Sequence, residues 1–253
     1  MGFGAIIIGD EIMRGKREDK HFAKLVQTLA ARDLRLDWCS YLGDNPELIA
    51  VTLKRTLAGT DIVFSFGGIG ATPDDHTRQC AAAALGVPVE LHPEAETEIK
   101  AAIRARFGAE ATPNQLKMGE FPRGSSIIPN PYNRIPGFSV ADHHFVPGFP
   151  VMAWPMVEWV LEQRYRHLFH QQPEADASIM VYGSAESTLT PLMEEIEARY
   201  RGIKVFSLPS VGEDGRRRHI ELGVRGVPAE VGPAMAAIEQ AIGAMGIEWE
   251  RRG

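Results

Sequence analysis

The chain opens on a short apolar run, Phe3-Gly4-Ala5-Ile6-Ile7-Ile8, rich in β-branched isoleucine. A run without polar alternation suits a strand covered on both faces. It stops at Gly9-Asp10, and Glu11-Ile12-Met13-Arg14-Gly15 reads as a polar turn. From Asp19 the period changes: Phe22, Leu25, Val26 and Leu29 fall at i, i+3, i+4 and i+7 and share one helix face. Leu34, Leu36, Trp38 and Ser40 alternate with polar neighbours, the pattern of a second strand. Asn45-Pro46 pairs a favoured N-cap with a favoured first-turn residue, which predicts a helix ending near Gly59. Residues 61–66 form another buried strand and run into Gly67-Gly68-Ile69-Gly70, after which a helix is expected from Pro73 to Leu85.

Strand and helix in short alternation predict a parallel sheet with helices on both faces. Residues 93–107 have the pattern of an amphipathic helix rich in Glu and Arg. Residues 112–150 are proline-rich, with strand-like pieces at 126–128 and 144–146, and a closing helix is expected over 154–169. Residues 171–176 are the linker candidate. Beyond them the expected order is strand 178–182, helix 190–200, strand 203–208, turn 212–215, strand 219–224, helix 229–245 and strand 247–250, the split βαβ plan. The expected architecture is therefore a three-layer αβα domain with a mostly parallel sheet over residues 1–171. A small α+β ferredoxin-like βαββαβ domain follows over 176–253.

Composition narrows the function classes. Hydrophobic residues make up 44% of the 253 and charged residues 24%, ordinary globular proportions that exclude a disordered or fibrous chain. The 27 basic and 33 acidic side chains leave a net charge of -6, which argues against a nucleic-acid partner. No apolar stretch approaches the roughly 18 residues of a membrane span, and no secretory signal is apparent at the N-terminus. Two cysteines, Cys39 and Cys80, fit a reducing cytoplasm and read as small buried hydrophobes.

The sharpest chemical signal is Gly67-Gly68-Ile69-Gly70-Ala71-Thr72-Pro73-Asp74-Asp75-His76-Thr77. Glycines after a buried strand let backbone approach a ligand, and free N–H groups at a following helix start favour anions. Pro73 stands at the third glycine position, so this is neither a Walker loop nor a dinucleotide fingerprint. Two readings of Asp75 stay open: a carboxylate that holds a divalent cation or activates water, or the partner of Thr72 in a capping box. Asp74 fits first-turn charge complementing a helix dipole. Gly9-Asp10-Glu11 and Gly43-Asp44-Asn45 follow the first two strands. In an open parallel sheet ligands bind beyond the carboxyl ends of the strands, where Glu11, Asp44 and Asp75 can converge.

These segments resemble the MoaB/Mog domain of molybdopterin-binding proteins, in its competence/damage-inducible protein A (CinA) branch. The resemblance rests on G-x-E-(L/I)-(L/M)-x-G at Gly9 to Gly15, V/L-G-D at Leu42-Gly43-Asp44 and G-G-(L/I)-G-(P/A)-T-x-D-D-x-T at Gly67 to Thr77. An L-P-G-V-P counterpart stands at Val146-Pro147-Gly148-Phe149-Pro150, preceded by Ile128-Pro129-Asn130 and Pro136-Gly137-Phe138. It implies a site for a phosphorylated pterin or nucleotide in which Gly9, Glu11, Asp19, His21, Gly67, Gly68, Gly70, Thr72, Asp74, Thr77, Pro147, Gly148 and Pro150 contact the ligand. Asp44 and Asp75 would be the catalytic pair and would hold a divalent metal (Mg, Mn or Co). Some members of the branch hydrolyse the pyrophosphate of ADP-ribose or FAD, and molybdopterin-handling relatives use the matching aspartates in adenylyl transfer. The alternative is a non-catalytic molybdopterin- or nucleotide-binding module. The expected assembly is a homo-oligomer, a dimer or trimer.

Departures from the pattern accompany the matches. Asp19-Lys20-His21 stands where many members have Asn-x-Asn, Ala71 replaces the common Pro, and Met152-Ala153 replaces Glu-Met. The chain ends at Gly253, ahead of the amidohydrolase domain of longer members, so that activity is not expected here. His143 and His144 are neighbours on a strand and point to opposite faces, which argues against chelation by the pair. Trp154, Met156 and Trp159 read as core, His76 as near the motif loop, and Arg216-Arg217-Arg218 as a solvated hairpin end.

Overall fold

A computed structural model of the protein describes residues 1–171, 174–212 and 217–251. Most of the expected turn at 212–215, two residues of the expected linker, and Arg216 lie outside the described residues. Two compact units emerge, Met1–Phe169 and His170–Gly253.

The first unit contains β1 (Phe3–Ile8), α1 (Asp10–Met13), α2 (His21–Ala30), β2 (Leu36–Leu42), α3 (Pro46–Leu57), β3 (Ile62–Phe66) and α4 (Thr77–Leu85). It continues with β4 (Val89–Leu91), α5 (Pro93–Phe107), α6 (Pro113–Leu116), β5 (Glu120–Pro122), β6 (Ser126–Ile128), β7 (Gly137–Val140), β8 (His143–Val146) and α7 (Pro150–Val160). The main sheet has the order β2-β1-β3-β8-β7-β6. Strands β2, β1, β3 and β8 pair in parallel, and β7 and β6 complete the sheet antiparallel.

Alternation along the central strands divides the interior in two. Phe3, Ala5, Ile7, Phe64 and Phe66 face α2 and α7, where Leu25, Leu29, Met156 and Val160 cover them. Ile6, Ile8 and Val63 face the other way, onto Ile49 and Leu53 of α3 and Ala81 of α4. Both faces of β1 and β3 are therefore dry, which is why their sequence is continuously apolar. Phe121, Phe138 and Phe145 stack in series at 4.7 and 4.4 Å and extend the second layer.

Several boundaries differ from the sequence expectation. Residues 10–13 form one helical turn rather than a loop. The helix expected from Pro73 begins at Thr77, because the chain first makes a turn in which Asp75 N–H donates to the Thr72 carbonyl. Thr72 is thus not the N-cap of α4. Strands β4, β5 and β7, three or four residues long, are too short for a periodic signal, whereas β6 stands at the expected 126–128. The closing helix starts at Pro150, four residues early, and passes through a π-type turn at Leu161–Tyr165. Met156 is fully buried in the first core cluster, while Trp154 and Trp159 pack against it half-buried.

The second unit holds β9 (Ala175–Tyr182), α8 (Glu186–Arg199), β10 (Ile203–Ser210), β11 (His219–Gly226), α9 (Pro228–Ala244) and β12 (Trp249–Arg251). Its sheet runs β10-β11-β9-β12, antiparallel throughout, the arrangement a ferredoxin-like βαββαβ chain requires. Leu189, Leu192 and Ile196 of α8 and Ile238 and Ile242 of α9 cover one face of that sheet.

The two neighbouring histidines of β8 do take opposite faces. His143 Nε2–H donates to Thr56 Oγ1 at 2.9 Å on the α3 side. His144 Nε2–H donates to Tyr165 OH at 2.7 Å, Tyr165 donates on to Asp142 at 2.9 Å, and Ser139 Oγ donates to His144 Nδ1 at 2.8 Å. Burial pushes His143 down to about 4 and His144 down to about 3. Both rings are neutral in the fold and would be protonated in the unfolded chain below about pH 6.5. The unfolded state then binds more protons, so this contribution is complete above pH 6.5 and is lost as the pH falls toward 4. Urea unfolding should weaken by about 1.4 kcal/mol per pH unit for each histidine across that window. His144→Phe should remove one histidine's share of that slope; an unchanged slope would contradict the assignment.

Candidate functional site

Four parallel strands, β2, β1, β3 and β8, end side by side, and the loops that leave them meet in one crevice. Its volume is about 440 Å³. Gly9 and Glu11 reach it from the end of β1, and Asp44 from the end of β2. Gly67, Gly68, Gly70, Thr72, Asp74 and Asp75 line it from the loop after β3, and Pro147 and Gly148 from the loop after β8.

The glycine loop is shaped by close approach. Gly67 has φ of 97°, and a Cβ there would stand 2.3 Å from the Ile8 carbonyl oxygen. Gly68 has φ of 68°, and its Cβ would stand 2.2 Å from Thr77 Oγ1. Only glycine fits either position. Gly67 N–H donates to the Val146 carbonyl, Thr77 N–H to the Gly68 carbonyl, and Thr77 Oγ1 to the Gly67 carbonyl at 3.1 Å. Among the described residues, the N–H groups of Gly68, Ile69, Gly70 and Ala71 have no hydrogen-bond partner. Consecutive free N–H groups on a concave wall form an anion-binding nest.

The carboxylates are placed by their own loops. Asp10 N–H donates to Asp44 at 2.9 Å and Asp44 N–H donates to Asp10 at 3.2 Å, a reciprocal tie between the loops after β1 and β2. Burial raises the Asp44 pKa, and the nearby charges of Asp10, Glu11 and Asp74 raise it further, against the Asp10 N–H that lowers it. Asp75 accepts the Thr72 N–H at 2.8 Å and the Thr72 hydroxyl, so it closes its turn and still lines the crevice. The partnership with Thr72 expected of Asp75 is thus made in a turn rather than at a helix start, and the carboxylate still faces the crevice. The Thr72 hydroxyl shares its one proton between Asp75 and Asp74, and this contact lowers the Asp74 pKa.

Four expected residues lie outside the lining. Asp19 accepts the N–H groups of His21 and Phe22 and the Tyr41 hydroxyl, which makes it the capping group of α2. His21 sits behind the wall: its Nε2–H donates to the Gly148 carbonyl at 3.1 Å and its ring stacks on Phe66 at 4.5 Å. Burial lowers its pKa. Thr77 is fully buried beneath the loop, and Pro150 begins α7. His76 is also absent from the lining.

Other residues of the site carry no sequence motif of their own. Arg17 is the single cation among the lining residues, 3.8 Å from Glu11 and over the Phe149 ring at 5.8 Å. Arg78, 2% exposed, donates to the carbonyls of Gly70, Lys117 and Glu120 and fixes a positive charge under the glycine loop. Burial lowers its pKa, while the charges of Glu120 and Asp75 oppose that shift. A lone Arg in the alanine-rich α4 sequence was its only signal. Asn133 and Met152 also reach the crevice, Met152 at the position the resemblance gives to Glu.

No group of three or more His, Cys, Asp or Glu side chains among the described residues is arranged to hold a metal ion. A protein-only cage therefore does not fit. Asp44 and Asp75 line one crevice, so these two carboxylates would be the donors to a magnesium-like ion carried in by a ligand's own phosphates. No helix among the described residues is long and apolar enough to cross a membrane.

Comparison with known proteins agrees with this geometry. A "CinA-like protein" of Anaeromyxobacter sp. (strain Fw109-5) is 30% identical over 238 residues, covering 87% of this chain and 57% of the relative. Another, from Anaeromyxobacter sp. (strain K), is 35% identical over 158 residues, covering 60% of this chain and 38% of the relative. The chain thus spans about half or less of the length of these curated relatives. The crystal structure of "the protein CinA with unknown function" from Thermoplasma acidophilum superposes with a TM-score of 0.57 at 24% identity, covering 64% of this chain and 98% of that one. The model of the family described as "Probable molybdopterin binding domain" matches residues 4–167, and the chain belongs to that family, with CinA-like proteins as its homologues.

Proposed function

We propose that the crevice binds a phosphorylated pterin or nucleotide and hydrolyses its phosphoanhydride with the help of a divalent cation. The observation that carries this reading is the pairing of a free N–H nest with four carboxylates, Glu11, Asp44, Asp74 and Asp75, around one crevice. The nest at Gly68 to Ala71 receives phosphate oxygens. Arg17 adds one positive charge against four negative ones, so an anionic ligand enters only with a cation that offsets the difference. Magnesium, manganese or cobalt held between Asp44, Asp75 and the phosphates would neutralise developing charge on the phosphoryl oxygens. Asp75, held by Thr72, would orient and deprotonate an attacking water. Asp44 must be ionised to act, and its neighbours delay that ionisation. Cytoplasmic location and a homo-oligomeric state belong to the same proposal.

A second reading, binding without turnover, is favoured by Met152. It places a thioether on the crevice where the resemblance expects a carboxylate. Calorimetry showing tight nucleotide binding with no product would favour it.

Incubation of the protein with ADP-ribose and FAD plus magnesium, manganese or cobalt is expected to release mononucleotides. Asp75→Asn should cut that turnover by about a hundredfold or more; turnover that is absent, or indifferent to this change, rejects hydrolysis. The rate should rise with pH along an acid limb set above the usual carboxylate range by Asp44. Asp44→Asn should abolish the limb together with most of the activity, measured as kcat against pH.

A further inference from the structure

A small niche lies between α2 and α7, apart from the crevice. His21 and Thr28 of α2, Trp154 and Val157 of α7 and Phe66 of β3 line it, and its volume is about 10 Å³. That is the scale of one water molecule, and nothing larger fits. Two atoms on these side chains are buried and, among the described residues, make no hydrogen bond: His21 Nδ1 and Trp154 Nε1. His21 as a whole is 3% exposed. A buried polar atom without a partner is costly, and folded proteins rarely leave one so.

The two atoms are complementary. The other ring nitrogen of His21, Nε2, faces the Gly148 carbonyl at 3.1 Å, and a carbonyl only accepts, so Nε2 carries the proton. Burial favours the neutral ring, which leaves Nδ1 with a bare lone pair. An indole nitrogen only donates. The niche therefore presents one acceptor and one donor, and Thr28 on the same lining carries a hydroxyl that serves as either. Lys24 also lines the niche, with its ammonium 5.8 Å from the Trp154 ring centroid. A cation over a ring face leaves the in-plane indole N–H free for another partner.

We propose that this niche binds one ordered water, which accepts the Trp154 indole proton, donates to His21 Nδ1 and so makes His21 a positioning residue for the crevice wall. With Nδ1 engaged as an acceptor, the ring proton stays on Nε2 and the Gly148 carbonyl stays held. Gly148 in turn packs against Gly67, where its own Cβ would stand 3.4 Å from Gly67 Cα. The water thus ties α2 to α7 and bears on the start of the glycine loop without touching a ligand. It does not rest on the reading of the crevice as a phosphoanhydride site.

Nuclear magnetic resonance on the full chain tests it. The indole N–H signal that disappears in Trp154→Phe should show, in the wild-type protein, a water cross-peak with the sign of a molecule held longer than the protein takes to tumble. His21 should read as the Nε2–H tautomer in a long-range proton–nitrogen spectrum at neutral pH, and Trp154→Phe should shift its Nδ1 resonance. His21→Phe, which keeps a ring on Phe66 but no nitrogen, should lose the water cross-peak and move the Gly148 and Gly67 amide signals. Thr28→Val should retain the cross-peak; its loss there would assign the signal to the exchanging hydroxyl and overturn the site. A wild-type protein with no cross-peak, or with the proton on Nδ1, also overturns it. Gly148 and Gly67 signals unmoved by His21→Phe would overturn the positioning role.

Discussion

Everything at the site depends on a contact that admits no side chain. At the carboxyl ends of β1, β3 and β8 the backbone of Gly67 lies against the Ile8 carbonyl, accepts Thr77 Oγ1 and donates to Val146. Gly148 packs against the same residue from the other side, close enough that its own Cβ would stand 3.4 Å from Gly67 Cα. Because Gly67 and Gly68 are both held at positive φ, the loop turns at once and exposes its following N–H groups to the crevice. Any larger residue would push the loop away from β1 and close the nest.

Around that contact the other groups act as braces. Arg78 pins the Gly70 carbonyl from below, with its charge neutralised by no contacting carboxylate but favoured by Glu120 and Asp75 at longer range. His21 holds the Gly148 carbonyl from behind. The mutual hydrogen bonds of Asp10 and Asp44 lock the first two loops in register. Arg78 thus braces the glycine loop while Glu11, Asp44, Asp74 and Asp75 line the crevice, which suits phosphate carried in with a cation.

Much of the architecture was legible because its physics is local. The apolar runs of β1 and β3 are continuous since α2, α7, α3 and α4 dry both faces. At α4 a hydrogen bond from outside the helix moved the boundary. Pro73 looked like a helix start, yet Thr77 N–H is claimed by Gly68, and α4 begins only there. Asp19 looked like a ligand group, yet its oxygens cap α2 and accept from Tyr41.

By itself the sequence determined the strand–helix alternation, the glycine loop that follows β3 and the acidic residues at three strand ends, because each follows from period, turn chemistry or residue type. Tertiary structure alone decided which of these face one another. It put Glu11, Asp44 and Asp75 on a common crevice, sent His21 and Thr77 behind its wall, and brought Arg17 and Arg78 to it without a motif. His21 and Trp154, far apart in the sequence, meet at one niche for the same reason. Side-chain direction and long-range backbone contact are set by packing between elements, and no local pattern encodes that packing.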